Sequence, residues 1–239
     1  MFAALALALG LVPVTLPSCT EDSAGIEVPV AYRGEPLSGA TLDTADAQPV
    51  RLTRARVALN AIELRPCPES MLAQAARFFA PTVARAHSAT SPTRIGVPAI
   101  LNALSDDALY PGTFRPVPGE YCGVRGMLAT PDHDALGADP ALPLHAAAEL
   151  HGERLGPDGE VLSTFTLSST MSVAFEWTFP EPLVLDATTP YAEAWIVVDA
   201  EAWIAATVLP EGELDADGAS ALSQAAANAV RVELVRPAR

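Results

Sequence analysis

The chain has 239 residues, half of them hydrophobic, and its 29 acidic residues outnumber 14 basic ones for a net charge of −15. That balance repels nucleic acid and anionic lipid surfaces at long range, which excludes both as expected partners. With 50% hydrophobic and 18% charged residues the composition is that of a globular protein rather than a disordered one.

Met1 to Leu16 is an uncharged apolar run, too short to span a bilayer as a permanent helix, and residues 1–18 fit a cleaved export signal. It ends in Leu16-Pro17-Ser18-Cys19, with Leu three before the cysteine and small Ser one before it. This stretch resembles the lipobox of bacterial lipoproteins, which implies that Cys19 is acylated and becomes the mature N-terminus. By the same resemblance, Thr20 rather than Asp after the cysteine implies the outer membrane, on its periplasmic or surface side. Several acyl chains supply the stable anchoring that a single one does not. Residues 19–25 are then a lipidated polar tether, and 26–239 a single domain with an insertion at about 68–112. With Cys19 assigned to lipid, Cys67 and Cys122 are left, and an even pair in an oxidising compartment reads as one disulfide. Two thiols on a soft metal are the competing reading, but they lack CxxC spacing.

Ile26, Val28, Val30 and Tyr32 alternate as in a half-buried strand, and residues 34–48 carry loop composition. In "PVRLTRARVALNAIELR" the pairs Val57/Leu59 and Ile62/Leu64 fall on opposite parities, so a bulge near Asn60 is needed to bring both onto one face. Between the cysteines, Leu72, Ala76 and Phe79 stand near helical spacing and "VPAILNALSDD" is a second helical candidate, so the insertion is expected to be partly helical and outside the sheets. After Pro118 the chain reads as β. Cys122, Val124 and Leu128 share one parity, and "LHAAAELHG" (144–152) and "VLSTFTL" flank the turn "GPDG" as a hairpin. Met171, Val173, Phe175, Trp177 and Phe179 alternate cleanly, "YAEAWIVVD" and residues 230–235 add strands, and 217–228 is a short C-terminal helix. The whole predicts a mainly β fold: a two-sheet antiparallel β-sandwich, Ig-like or related.

No GxSxG, P-loop, dinucleotide, HExxH or paired CxxC motif occurs in the sequence. His145 and His151 share a strand parity with Glu149 between them, although six residues of strand separate them by about 20 Å, beyond the reach of one metal. Asp132, His133, Asp134 and Asp139 gather in one loop, where turn-forming Asp competes with a Ca²⁺ site that lacks the EF-hand pattern. His87 follows the first helical candidate and is either a copper or zinc ligand or a helix C-terminal cation. Trp177 and Trp195 occupy apolar strand positions and are expected in the core rather than on a carbohydrate platform.

The segments "VPGEY", with Pro118, Gly119 and Tyr121, and "VDAEAW", with Val198, Asp199 and Trp203, resemble the MbnP-like group of periplasmic copper-associated lipoproteins. The resemblance implies a β-sandwich and a metal site on a Trp-rich segment after a Gly-Met pair. Here Gly126-Met127 is followed by Leu128-Ala129-Thr130, so no copper ligand is carried over. The expectation is therefore a non-enzymatic binding or accessory module of the cell envelope, held to the membrane by lipid, meeting an envelope protein through its loops, and without a cofactor. The alternative is a copper or zinc binder using His87, His133, His145 and His151. A hydrolase whose carboxylates leave no local motif is a second alternative.

Overall fold

The computed structural model describes residues 26–39, 41–68, 92–186 and 193–235. In chain order the strands are β1 (Val28–Gly34), β2 (Leu42–Asp43), β3 (Pro49–Pro66), β4 (Arg94–Ile95), β5 (Ala99–Asn102), β6 (Leu109–Phe114), β7 (Gly119–Leu128), β8 (Ala148–Leu155), β9 (Val161–Ser169), β10 (Val173–Leu185) and β11 (Glu193–Val198). Two helices, α1 (Ala200–Ala205) and α2 (Ala216–Asn228), precede a last strand, β12 (Val230–Val235). One sheet runs β12-β11-β1-β6 and the other is assembled around β3; their apolar faces share one core, making the expected sandwich. The β1–β11 pair is parallel, so everything from β2 to β10 serves as its crossover.

β3 is the spine of the larger sheet. Val57 pairs with both Leu101 of β5 and Ala148 of β8, and Leu59 with both Ala99 of β5 and Leu128 of β7. One edge of β3 is therefore taken first by β8 and then by β7, while β2, β5 and β4 line the other. The exchange from β8 to β7 falls at the predicted irregularity: the register slips between Leu59 and Ala61, and Val57, Leu59, Ile62 and Leu64 all reach the core. The backbone of Ala58 holds both ends of the 129–147 loop there, donating to the Ala147 carbonyl (2.9 Å) and accepting from Ala129 (3.1 Å). That loop folds over the outer face of the sheet, where Ala58, Ile100, Ala135, Leu144 and Ala146 form a second small apolar cluster.

A second slip places the sulfur bridge. Arg65 pairs with Gly123 but Pro66 with Tyr121, so Cys122 is the extra residue on β7. Tyr121 rather than Cys122 joins the buried side with Val124, which corrects the parity read from sequence. Cys122 is bonded to Cys67, with Cα atoms 4.7 Å apart. Opposite the same bulge, β10 jumps from Thr178↔Gly123 to Leu183↔Tyr121, and Pro180 and Pro182, which have no N–H to give the ladder, lie within the jump.

The strands read from alternation are present. Ile26, Val28, Val30 and Tyr32 are buried, and β8 and β9 form a hairpin across "GPDG" with Gly159 at φ 78°. β10 buries Phe175 and Phe179, but Met171 lies outside the strand and is exposed. The insertion departs from expectation. Residues 69–91, which include most of the first helical candidate, lie outside the described residues, whereas 92–112 enters the sheets. "AILN" is β5 on β3, not a helix: Leu101 faces the core and Ile100 the outer cluster, and burial on both sides erases the alternation that marks a strand. Trp195 is also corrected. Ala194, Ile196 and Val198 take the core side of β11, and Trp195 lies on the other, beneath the Arg33 guanidinium 4.7 Å from its ring centroid. The segment after Val198 is α1, capped by Asp199 accepting from Ala202 N at 2.9 Å, and it buries Trp203 completely.

Candidate functional site

The chemistry-bearing side chains of the larger sheet meet on its outer face. The antiparallel register sets Arg54 opposite His151 and Arg56 opposite Glu149, while on the far side of β8 Thr166 stands opposite His151. Cross-strand neighbours on one face are within side-chain reach, and the contacts follow. Arg56 Nε and Nη2 donate to Glu149 Oε1 at 3.0 and 2.7 Å, and Arg54 lies 3.8 Å from the same oxygen. His151 Nε2 is 3.1 Å from Glu149 Oε1, and its Nδ1 is 3.3 Å from Thr166 Oγ1. Hydroxyl, imidazole and carboxylate thus stand in succession. The carboxylate is largely committed to Arg56, and Arg56 and Glu149 are nearly buried, with 12% and 14% of their side chains exposed. Arg56 and Glu149 stitch β3 to β8 and the Thr166–His151 contact links β8 to β9, while His151 Nε2, for all its nearness to the carboxylate, finds no hydrogen-bond partner among the described residues.

The other histidines are not drawn into it. His145 precedes β8 rather than sharing its parity; it is exposed, with its neighbours Leu144 and Ala146 turned into the outer apolar cluster. His133 is exposed in the 129–147 loop, where Asp139 Oδ1 accepts from Ala141 N at 2.8 Å and Asp132 O from Ala135 N at 3.2 Å, the local turn bonds expected of such residues. His87 and Cys19 lie outside the described residues. Among the described residues no three His, Cys, Asp or Glu side chains gather to hold a metal ion.

A concave site lies elsewhere, at the junction of the sandwich with its helices. Leu167 of β9, Ala206 to Val208, Pro210, Glu213 to Asp215, and Gly218, Ala221 and Leu222 of α2 line a cavity of about 300 Å³. Its walls come from distant parts of the chain, and each is fixed. Thr207 is buried, donating through Oγ1 to Trp203 O at 2.9 Å, and its carbonyl accepts from Ala45 N at 3.0 Å. Arg154 of β8 donates to the Pro210 carbonyl. Asp215 caps α2 by accepting from Gly218 N at 2.8 Å. α2 is seated on the hairpin by a buried hydrogen bond, Ser223 Oγ to Ser169 Oγ, 2.8 Å. The cavity escaped the sequence analysis because no single segment encodes it; its one local trace is "VLPEGELDADG", an apolar pair followed by alternating carboxylates.

The chain matches no protein-family model and no curated protein. Among solved structures it is similar to MbnP from Methylosinus trichosporium, over 81% of each chain, with 12% sequence identity and a TM-score of 0.35. At that identity no residue of one chain is equated with a residue of the other.

Proposed function

We propose that this protein is a non-enzymatic binding module of the cell envelope, lipidated at Cys19, that holds a small ligand in the cavity between β9, residues 206–215 and α2. The cavity is the observation that carries the binding role: a mostly apolar concavity with a few polar groups at its lip is the usual form of a small-molecule site, and about 300 Å³ is the lower end of the range. The Cys67–Cys122 bridge supports an extracytoplasmic setting, because such bonds persist in oxidising compartments. Attachment is assigned to acyl chains on Cys19, several of which together supply stable anchoring. Held at the membrane surface, the loops of the sandwich are within reach of an envelope protein partner.

Two measurements test the proposal. Mass spectrometry of the natively expressed protein should find Cys19 first and carrying acyl chains; an unprocessed Met1 without lipid refutes the anchoring. For the cavity, the mature chain, residues 19–239 with Cys19→Ser, lacks both the apolar leader and the acylation site and is purified without detergent, then titrated with the uncharged dye N-phenyl-1-naphthylamine. Saturable enhancement at one dye per chain, lost in Ala221→Trp, is expected. Enhancement that does not saturate, or that survives the filled cavity, refutes the site.

A further inference from the structure

We infer that the cavity selects amphiphiles with a cationic head, taking the alkyl or aryl body against Leu167, Val208, Leu214 and Leu222 and the head at Glu213. The inference rests on the binding role proposed above and adds the ligand's charge. From Pro210 to Gly218 the sequence reads "PEGELDADG", with carboxylates at 211, 213, 215 and 217 and no basic residue. Two of the four, Glu213 and Asp215, line the cavity, and Glu213 is exposed at its lip.

The opposing influence is the N-terminus of α2, whose free N–H groups favour anions. It is already answered within the chain. Asp215 accepts from Gly218 N and Asp217 stands in the first turn, so the positive end of the helix faces two carboxylates before any ligand arrives. One guanidinium, that of Arg154, approaches the loop and donates to the Pro210 carbonyl; it keeps its charge there, and the loop's four carboxylates outnumber that single cation. The net charge of −15 adds a long-range field of the same sign. An anionic head would meet Glu213 and Asp215 directly, whereas an ammonium gains an ion pair at a mouth whose apolar walls reduce the dielectric.

Three probes of one length separate head from body: n-octylammonium, n-octanol and n-octanoate, each displacing N-phenyl-1-naphthylamine from residues 19–239 with Cys19→Ser. Octylammonium is expected to bind about threefold to tenfold more tightly than octanol, and octanoate more weakly than either. In Glu213→Gln the octylammonium advantage should shrink to near unity with octanol unchanged, and raising salt to 0.5 M should shrink it in the parent chain. Equal binding of octylammonium and octanol, or an advantage that survives Glu213→Gln, overturns the inference while leaving the cavity a binding site. If the dye and all three probes fail to bind, the binding role itself falls and the inference with it.

Discussion

Removing the bridge between Cys67 and Cys122 isolates one contribution to this fold. The two residues are 55 apart, and the intervening chain supplies β4 and β5 to one sheet and β6 to the other. Cross-linking a loop of that length removes about 14 cal/mol/K of closure entropy from the unfolded chain, so the bridge stabilises the native state by about 4 kcal/mol at 25 °C. Replacing both residues (Cys67→Ala with Cys122→Ala) leaves the local native contacts in place, because Cys67 N still donates to Glu120 O at 2.9 Å and Tyr121 stays buried. The loss should therefore arise almost wholly in the unfolded state. Equilibrium urea unfolding, read by the fluorescence of buried Trp203, measures it. With a urea dependence of roughly 2 to 3 kcal/mol/M for a chain of this size, the midpoint should fall by about 1.3 to 2 M. A loss below about 1 kcal/mol would refute the loop-closure account and indicate an unfolded ensemble already compact across residues 67 to 122.

Two further expectations follow from the packing and the charges. A methyl group on Gly126 would overlap the ring of Phe175, its cross-strand partner, and sit 2.9 Å from Ala61 O, so Gly126→Ala should cost about 1 to 3 kcal/mol, read as a thermal midpoint lowered by roughly 2 to 4 °C per kcal/mol; an unchanged midpoint means the ring moves aside freely. The hydrogen bond from Arg231 holds the Glu35 carboxyl below the ordinary glutamate range, against the smaller opposing effect of burial. Its folded value being depressed, the stabilisation is present above the unfolded carboxyl's pKa and is lost as pH falls through the folded value. With 41% of the Glu35 side chain exposed, solvent limits the pair to about 1 kcal/mol at most. The stability gap between parent and Arg231→Gln should therefore be small at pH 7 and narrow on acidification to pH 3, and a gap that widens on acidification contradicts the assignment.

What the sequence discloses is a face, and what it conceals is the partner across the space that face looks into. β1 and β10 are legible because one parity is buried and the other, Ala31 apart, is not, and the two apolar pairs of β3 even disclose the bulge at Asn60, since no uniform strand could bury both. β5 is illegible for the converse reason: the 129–147 loop covers its outer side, so Ile100 is buried as well as its neighbour Leu101, each on its own face, and the period disappears. Trp195 follows the same logic, since an aromatic ring at a strand position looks like core until Arg33, 162 residues earlier, proves to cover it. His151 and Glu149 could be put on one face from their spacing, but Arg56, which fixes the carboxylate, is supplied by the register of β3 against β8. The cavity is the extreme case. Leu167 lies two residues before Ser169 and Leu222 one before Ser223, and the buried hydroxyl pair of those serines sets the helix on the hairpin so that the two leucines stand on the same hollow. Neither serine belongs to a motif. Each is a small polar residue that desolvation forces to find a partner, and satisfying that requirement aligns two apolar walls that are 55 residues apart in the chain.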